Sequence, residues 1–271
     1  MEETSEALQA ILEPVDVALG ELRDRRPLSP GAIARMRDDL SVLHSYDSNA
    51  IEGSTLTLQE TVLVVKEGIT IGSKPIRDAM AARGYAAGFK AIFDFVDRRV
   101  PLSVDLIKDF HRYVMLGALP EFCGMFRDHN VYIANAKNTR LADFREIYPK
   151  VEELVNWFNE DARLLHPVHR AALFHVRFET IHPFPDGNGR TGRLLLNYQL
   201  VRNGLWPVNI RYGADRLNYY EAFDTWRATG NIAPMTSIIA AREIEQLKYC
   251  CQVADDQAEA EKLQKAGLLK R

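Results

Sequence analysis

Apolar positions recur with helical spacing along almost the whole chain. Leu8, Ile11, Leu12, Val15 and Leu19 form one stripe, the mark of a helix with a single buried face. Pro14 falls inside that stripe and is expected to kink or split it. Ser29-Pro30 reads as a cap followed by a proline suited to a first helical turn. Ile33, Met36, Leu40 and Leu43 carry the second helix onward to a stop at Glu52-Gly53. Thr57 and Glu60 have capping-box spacing, and Ser103 caps a further helix. Val151, Leu154, Val155 and Phe158 mark another. His169 to Ile181 is helical in character, and Leu194, Tyr198 and Val201 continue the spacing up to Asn203-Gly204. One segment breaks the pattern. Residues 128–140 place Val131-Tyr132-Ile133 between turn-forming residues, which predicts a small hairpin. The C-terminal end is rich in Ala, Glu, Lys and Gln and reads as an exposed helix or a frayed tail. The fold expected is all-α with one β-hairpin.

Composition narrows the class without naming a function. A chain of 271 residues, 46% hydrophobic and 26% charged, can bury a substantial core. A net charge of −3 argues against non-specific attraction to nucleic acid, so no nucleic-acid partner is expected. No apolar run reaches the ~18 residues of a membrane span. The start, Met1-Glu2-Glu3-Thr4, lacks the layout of a signal peptide. Cys123, Cys250 and Cys251 have no metal-type spacing, and adjacent cysteines are poorly placed for a mutual disulfide. A cytoplasmic location is the expectation. His166, His169, His175 and His182 are a poor zinc set, because no cysteine or second carboxylate completes a shell.

The chemistry concentrates in residues 180–193. Pro183, Pro185, Gly187 and Gly189 cannot all sit in a helix, so two helices flank a tight loop. Glycines let backbone N–H groups turn inward, and the helix that follows presents its positive end, which makes an anion site. Arg190 and Arg193, three residues apart, can lean towards one polyanion. Asp186 is a hard oxygen ligand suited to Mg²⁺. His182 is the side chain there able to take a proton near neutral pH. Anion cradle, metal ligand and base together describe phosphate-ester transfer.

His182-Pro183-Phe184-Pro185-Asp186-Gly187-Asn188-Gly189-Arg190-Thr191-Gly192-Arg193 resembles the Fic family signature, H-x-F-x-D/E-G-N-G-R-x-x-R, at every specified position. The resemblance extends over about 101–235 as the Fic core, with Gly124-Met125-Phe126-Arg127 before the hairpin and Arg216, Tyr219 and Tyr220 after the signature. Residues 1–100 are then an N-terminal helical region and 236–271 a C-terminal helix or tail. The resemblance implies a protein adenylyltransferase using ATP and Mg²⁺. His182 would be the base, Asp186 would hold the metal, and Gly187, Asn188 and Gly189 would form the anion hole. Arg190 would contact phosphates, and Arg193 the γ-phosphate. Phe184 would point into the core. Val131, Ile133 and Ala134 match the flap that aligns the target as an added strand, with Ala134 standing where the family has Gly. Tyr219 and Tyr220 fall where adenine packs, although core tyrosines are an equal reading.

Ser48-Asn49-Ala50-Ile51-Glu52-Gly53 is similar to the family's inhibitory pattern, which places the inhibitory helix at about 31–53. A carboxylate at a helix C-terminus opposes the dipole, so Glu52 needs compensation. An ion pair with Arg193 would provide it and block the γ-phosphate site. Removal of AMP from a modified target, or another phosphate-ester transfer on the same loop, is the alternative reading. The expected partners are ATP and a target protein, and a homodimer stays open.

Overall fold

The computed structural model describes residues 2–25, 27–115, 117, 120–132 and 141–266. The helices in chain order are α1 (Glu2–Arg23), α2 (Pro30–Ile51), α3 (Leu58–Val62), α4 (Ile76–Asp97), α5 (Val104–Met115), α6 (Ile147–Asn159), α7 (Pro167–Ile181), α8 (Asn188–Arg202), α9 (Arg216–Thr229) and α10 (Ala233–Lys265). No strand occurs among the described residues. Of the expected hairpin, Val131 and Tyr132 are in irregular backbone, and Ile133 to Arg140, with Ala134, lie outside the described residues.

Local chemistry accounts for most helix ends. Ser29 Oγ accepts from Ala32 N, and Pro30 opens α2. Thr57 and Glu60 close a capping box on α3, which runs on into a π-helical turn, Leu63–Glu67. Ser103 Oγ accepts from Leu106 N at the start of α5. Pro14 does not split α1. It removes one backbone donor, and the helix continues past it while packing along α10.

α7 and α8 are the centre of the molecule. Phe174 and Phe178 of α7, with Leu194, Leu195 and Tyr198 of α8, join Phe89, Phe110 and Phe158 in one core cluster. Val168 and Val176 of α7, with Leu196 and Leu200 of α8, join Val15, Phe223, Ile239 and Leu247 in a second. A helix with apolar neighbours on both sides has no solvent face to reveal a stripe, and α8 is buried almost throughout from Asn188 to Leu200.

α4 has no counterpart among the helices read from spacing. It sends Tyr85, Phe89, Ile92 and Phe93 into the core and crosses its neighbours closely at small residues. A Cβ at Gly84 would stand 2.3 Å from Tyr113 O, and one at Gly88 would stand 2.8 Å from Leu194 Cδ1. α4 thereby separates α2 from α5 and holds both against α8.

The C-terminal end of α2 is fixed in place. Ile51 is buried, and Asp47 accepts from Asn209 Nδ2 (2.6 Å) and from the backbone N of Tyr212 (2.9 Å). Gly53, at φ 92°, then turns the chain away.

Candidate active site

The loop between α7 and α8 begins with His182 in left-handed backbone (φ 51°, ψ 62°), which costs a non-glycine residue about 1 kcal/mol. Several contacts hold it there. His182 N donates to Phe178 O (2.9 Å), and Arg127 Nε donates to His182 O (2.9 Å). Arg127 N donates to Pro183 O, and its Nη atoms reach His129 O (2.8 Å) and Ala142 O (2.5 Å). Arg127 thus clamps the loop after α7 to both ends of the segment between residues 129 and 142.

Phe184 is fully buried and lies flat on His111, with ring centroids 3.7 Å apart and planes at 2°. His111 Nδ1 accepts from Gly124 N (2.9 Å), which leaves Nε2–H to donate to Asp186 O (3.0 Å). Burial, partly opposed by the bond to Asp186, pushes this imidazole down to about 4, so it stays neutral in that role. Neither His111 nor Arg127 was assigned a role from the sequence. Their partners are distant along the chain, and only the Gly-x-Phe-Arg resemblance pointed near Arg127.

The Asn188 side chain is turned into the loop. It is 2% exposed, and its amide accepts from Phe184 N (2.9 Å) and donates to Phe184 O (2.8 Å). The side chain braces the loop, so only its backbone remains for an anion. Gly187, at φ 76°, turns the chain into α8. Asp186 projects outward with its side chain 57% exposed, and Oδ1 accepts from Gly187 N (2.6 Å).

Arg190 and Arg193 of α8 do not share one target here. Arg190 is buried beside Met115, 3.4 Å from Asp186 Oδ1, and its Nε has no partner. Arg193, with a side chain 4% exposed, turns to α2. Its Nε donates to Ser48 Oγ (2.8 Å), and Nη2 donates to Ser48 O (3.0 Å) and Glu52 Oε1 (2.7 Å). Burial alone would weaken the charge on Arg193, but the Glu52 carboxylate, together with Tyr219 and Tyr85, more than offsets it, and the guanidinium is held ionised.

The Glu52 carboxylate also lies over the first turn of α8. A Cβ at Gly189 would meet its Oε1 at 2.3 Å. An anion therefore already sits at the positive end of this helix.

Tyr219 and Tyr220 are separated by the helix that carries them, because consecutive helical residues point about 100° apart. Tyr219 is 2% exposed, edge-on to Phe223, and bonded through its hydroxyl to His175 Nε2 (2.6 Å). It is a core residue and offers no face to a base. Tyr220 is 41% exposed under the Arg216 guanidinium, 5.5 Å from the ring centre.

Sequence reading also passed over Glu179. It is buried one turn before His182, with Oε2 3.6 Å from His182 Nδ1. Among the described residues no group of three or more His, Cys, Asp or Glu is arranged to hold a metal. No helix there is long and apolar enough to cross a membrane.

A helical fold with a buried arginine and a glycine-rich turn at the head of its central helix defines a class of anion-binding domain. The Fic/DOC family model matches residues 101–200. Protein adenylyltransferase Fic of Nematostella vectensis is 34% identical over 203 residues, covering 73% of this chain and 45% of that protein. The solved structure of Fic-1 from Caenorhabditis elegans superposes with a TM-score of 0.83 at 27% identity, covering 93% of this chain and 74% of that one. A Fic domain containing signaling protein from Bacteroides thetaiotaomicron gives 0.82 at 26% identity, covering 90% and 98%. The chain belongs to the Fic family. It spans less than half the length of the Nematostella relative.

Proposed function

We propose that this chain transfers AMP from ATP to a Ser, Thr or Tyr hydroxyl of a target protein, and that Glu52 restrains it. The observation that carries this reading is the pairing of Arg193 with Glu52 above Gly189, at the first turn of α8, where helix N–H groups have no partner within the helix. Relatives named as protein adenylyltransferases support the transferred group.

In this reading His182 accepts the proton of the target hydroxyl as its oxygen attacks the α-phosphorus. The bond from that phosphorus to the bridging oxygen breaks, and pyrophosphate leaves with the electron pair. The N–H groups around Gly187 to Gly189 and the unpartnered Nε of Arg190 stabilise the charge that builds on the phosphoryl oxygens. Arg193, once free of Glu52, takes the γ-phosphate and fixes which phosphorus faces the nucleophile.

Asp186 suits Mg²⁺. It is an exposed carboxylate at the head of α8, and Mg²⁺ characteristically takes one or two carboxylates, with phosphates and water supplying the rest. Such an ion would neutralise charge on the α- and β-phosphates. Asp186 and the Gly187 backbone would then orient the triphosphate.

The test is self-modification with ATP followed by intact-protein mass measurement. Glu52→Gly should gain adenylyl groups faster than wild type, and His182→Ala in that background should gain none. An added phosphate would replace AMP transfer with another phosphate-ester chemistry. Loss of AMP from a modified target with no forward incorporation would favour the reverse reaction.

A further inference from the structure

Resting on the reading of His182 as the base, we propose that Glu179 is its positioning residue. The buried carboxylate of Glu179 takes the Nδ1–H of His182 and so leaves Nε2 as the nitrogen that faces the target hydroxyl.

Both residues are built for this contact. Glu179 lies in the last turn of α7, and His182 follows the end of that helix in left-handed backbone, three residues on. Glu179 Oε2 is 3.6 Å from His182 Nδ1, which is ion-pair range and slightly long for a hydrogen bond. Catalytic bonds of this kind are often loose before substrate arrives and tighten on binding. His182 Nδ1 is buried with no hydrogen-bond partner, as is Glu179 Oε1. A buried donor without an acceptor is costly, so the adjacent carboxylate decides which ring nitrogen carries the hydrogen.

The opposite helix makes room for this carboxylate. A Cβ at Gly192 would come within 2.4 Å of Glu179 Oε1 and 3.0 Å of His175 Cε1. Any side chain at position 192 would push Glu179 off its line to His182. Burial raises the Glu179 carboxyl, but the groups around it, the contact with His182 foremost, more than offset that, so it sits below the ordinary carboxylate range. His175 is held neutral by burial, near 4, and its Nε2 is engaged by the Tyr219 hydroxyl. It does not compete for the role.

An alternative is that Glu179 serves only as a counter-charge inside the helix pair. Glu179→Met keeps the length and removes the acceptor, whereas Glu179→Gln keeps an acceptor oxygen without charge. Both are made in the Glu52→Gly background. Glu179→Met should lower kcat about 10- to 100-fold, part of what a positioned base contributes, with KM for ATP within about twofold. Glu179→Gln should fall between Met and parent. Ring-¹⁵N spectra of the unsubstituted chain, assigned against His182→Ala, should show His182 with hydrogen on Nδ1, and Glu179→Met should show a tautomer mixture.

A folded Glu179→Met variant with parental kcat overturns the proposal. So does an Nε2–H tautomer in the unsubstituted chain, a result that does not depend on either variant folding. If Glu52→Gly transfers no AMP, the functional reading fails while the spectra still report on the Glu179–His182 contact.

Discussion

Glu52 Oε1 sits so close above Gly189 that a Cβ there would stand 2.3 Å from it. The residue just beyond α2 therefore lies on the first turn of α8. A carboxylate that opposes the dipole of its own helix is met by the favourable end of another and by Arg193. The unfavourable end position of Glu52 in sequence is resolved through space.

Removing that carboxylate has a thermodynamic signature as well as a catalytic one. Glu52→Gly leaves Arg193 with its two Ser48 contacts and without its counter-charge. The carboxylate is 37% exposed, so solvent screens part of the pair, and the expected loss is about 1–2 kcal/mol. Thermal unfolding should show a lower Tm without nucleotide and a larger rise on adding ATP than wild type shows. An equal ATP-dependent rise in both proteins would argue that Glu52 does not compete with nucleotide.

Ser48 is the second half of the restraint. Ser48→Ala removes the oxygen that accepts from Arg193 Nε and leaves a buried donor unpaired, at a cost of about 1–3 kcal/mol. Self-modification by Ser48→Ala should lie between wild type and Glu52→Gly. Activity no greater than wild type would assign the restraint to Glu52 alone.

Asn188 offers a test of loop rigidity. Asn188→Ala leaves both Phe184 N and Phe184 O without their partner in a buried site. In the Glu52→Gly background, incorporation should fall at least about tenfold and Tm should drop, because the loop that carries the anion cradle is no longer braced. Full incorporation would assign Asn188 no bracing role.

Stability should depend on pH in opposite senses at one buried carboxyl and two buried imidazoles. Burial pushes the Glu243 carboxyl up to about 8, only partly offset by Trp206 N donating to it. A raised acid contributes fully below its unfolded value, 4.5, and that contribution is lost as pH rises towards 8. His44 and His175 are pushed down by burial to about 3 and about 4. Their contribution is full above 6.5 and is lost as pH falls below it. Denaturant titrations across pH should therefore show losses on both sides of neutrality. Glu243→Gln, which keeps an oxygen for Trp206 N, should be more stable than wild type near pH 8 and flatten the decline between about pH 5 and 8. An unchanged slope would remove Glu243 from the account.

What was legible in the sequence was contiguous. The capping box at Thr57 and Glu60, the Ser103 cap, the stop at Glu52-Gly53 and the helix–loop–helix around 182–193 each depend on neighbours within a few residues. α4 carries a helical stripe of its own in Tyr85, Phe89, Ile92 and Phe93, so it was open to the same reading by spacing; only its close crossings at Gly84 and Gly88 depend on partners distant in the chain. Glu179 read as one more polar position in a helix, since its burial depends on α8 carrying glycine at 192. Tyr219 and Tyr220 read as a pair, and helical geometry sends one into the core. Arg193 and Glu52 stand 141 residues apart, and only the charge argument at the end of α2 linked them.

Because Ile51 and Asp47 anchor the end of α2, the restraint does not require the helix to unwind. Glu52 behaves as a ligand on a very short tether, held at an effective concentration of at least about millimolar beside its site. Such a ligand is displaced by rotating about its own side-chain bonds. On the proposed reading, the degree of restraint is a ratio between this tethered carboxylate and free triphosphate, and a rise in nucleotide level alone should loosen it.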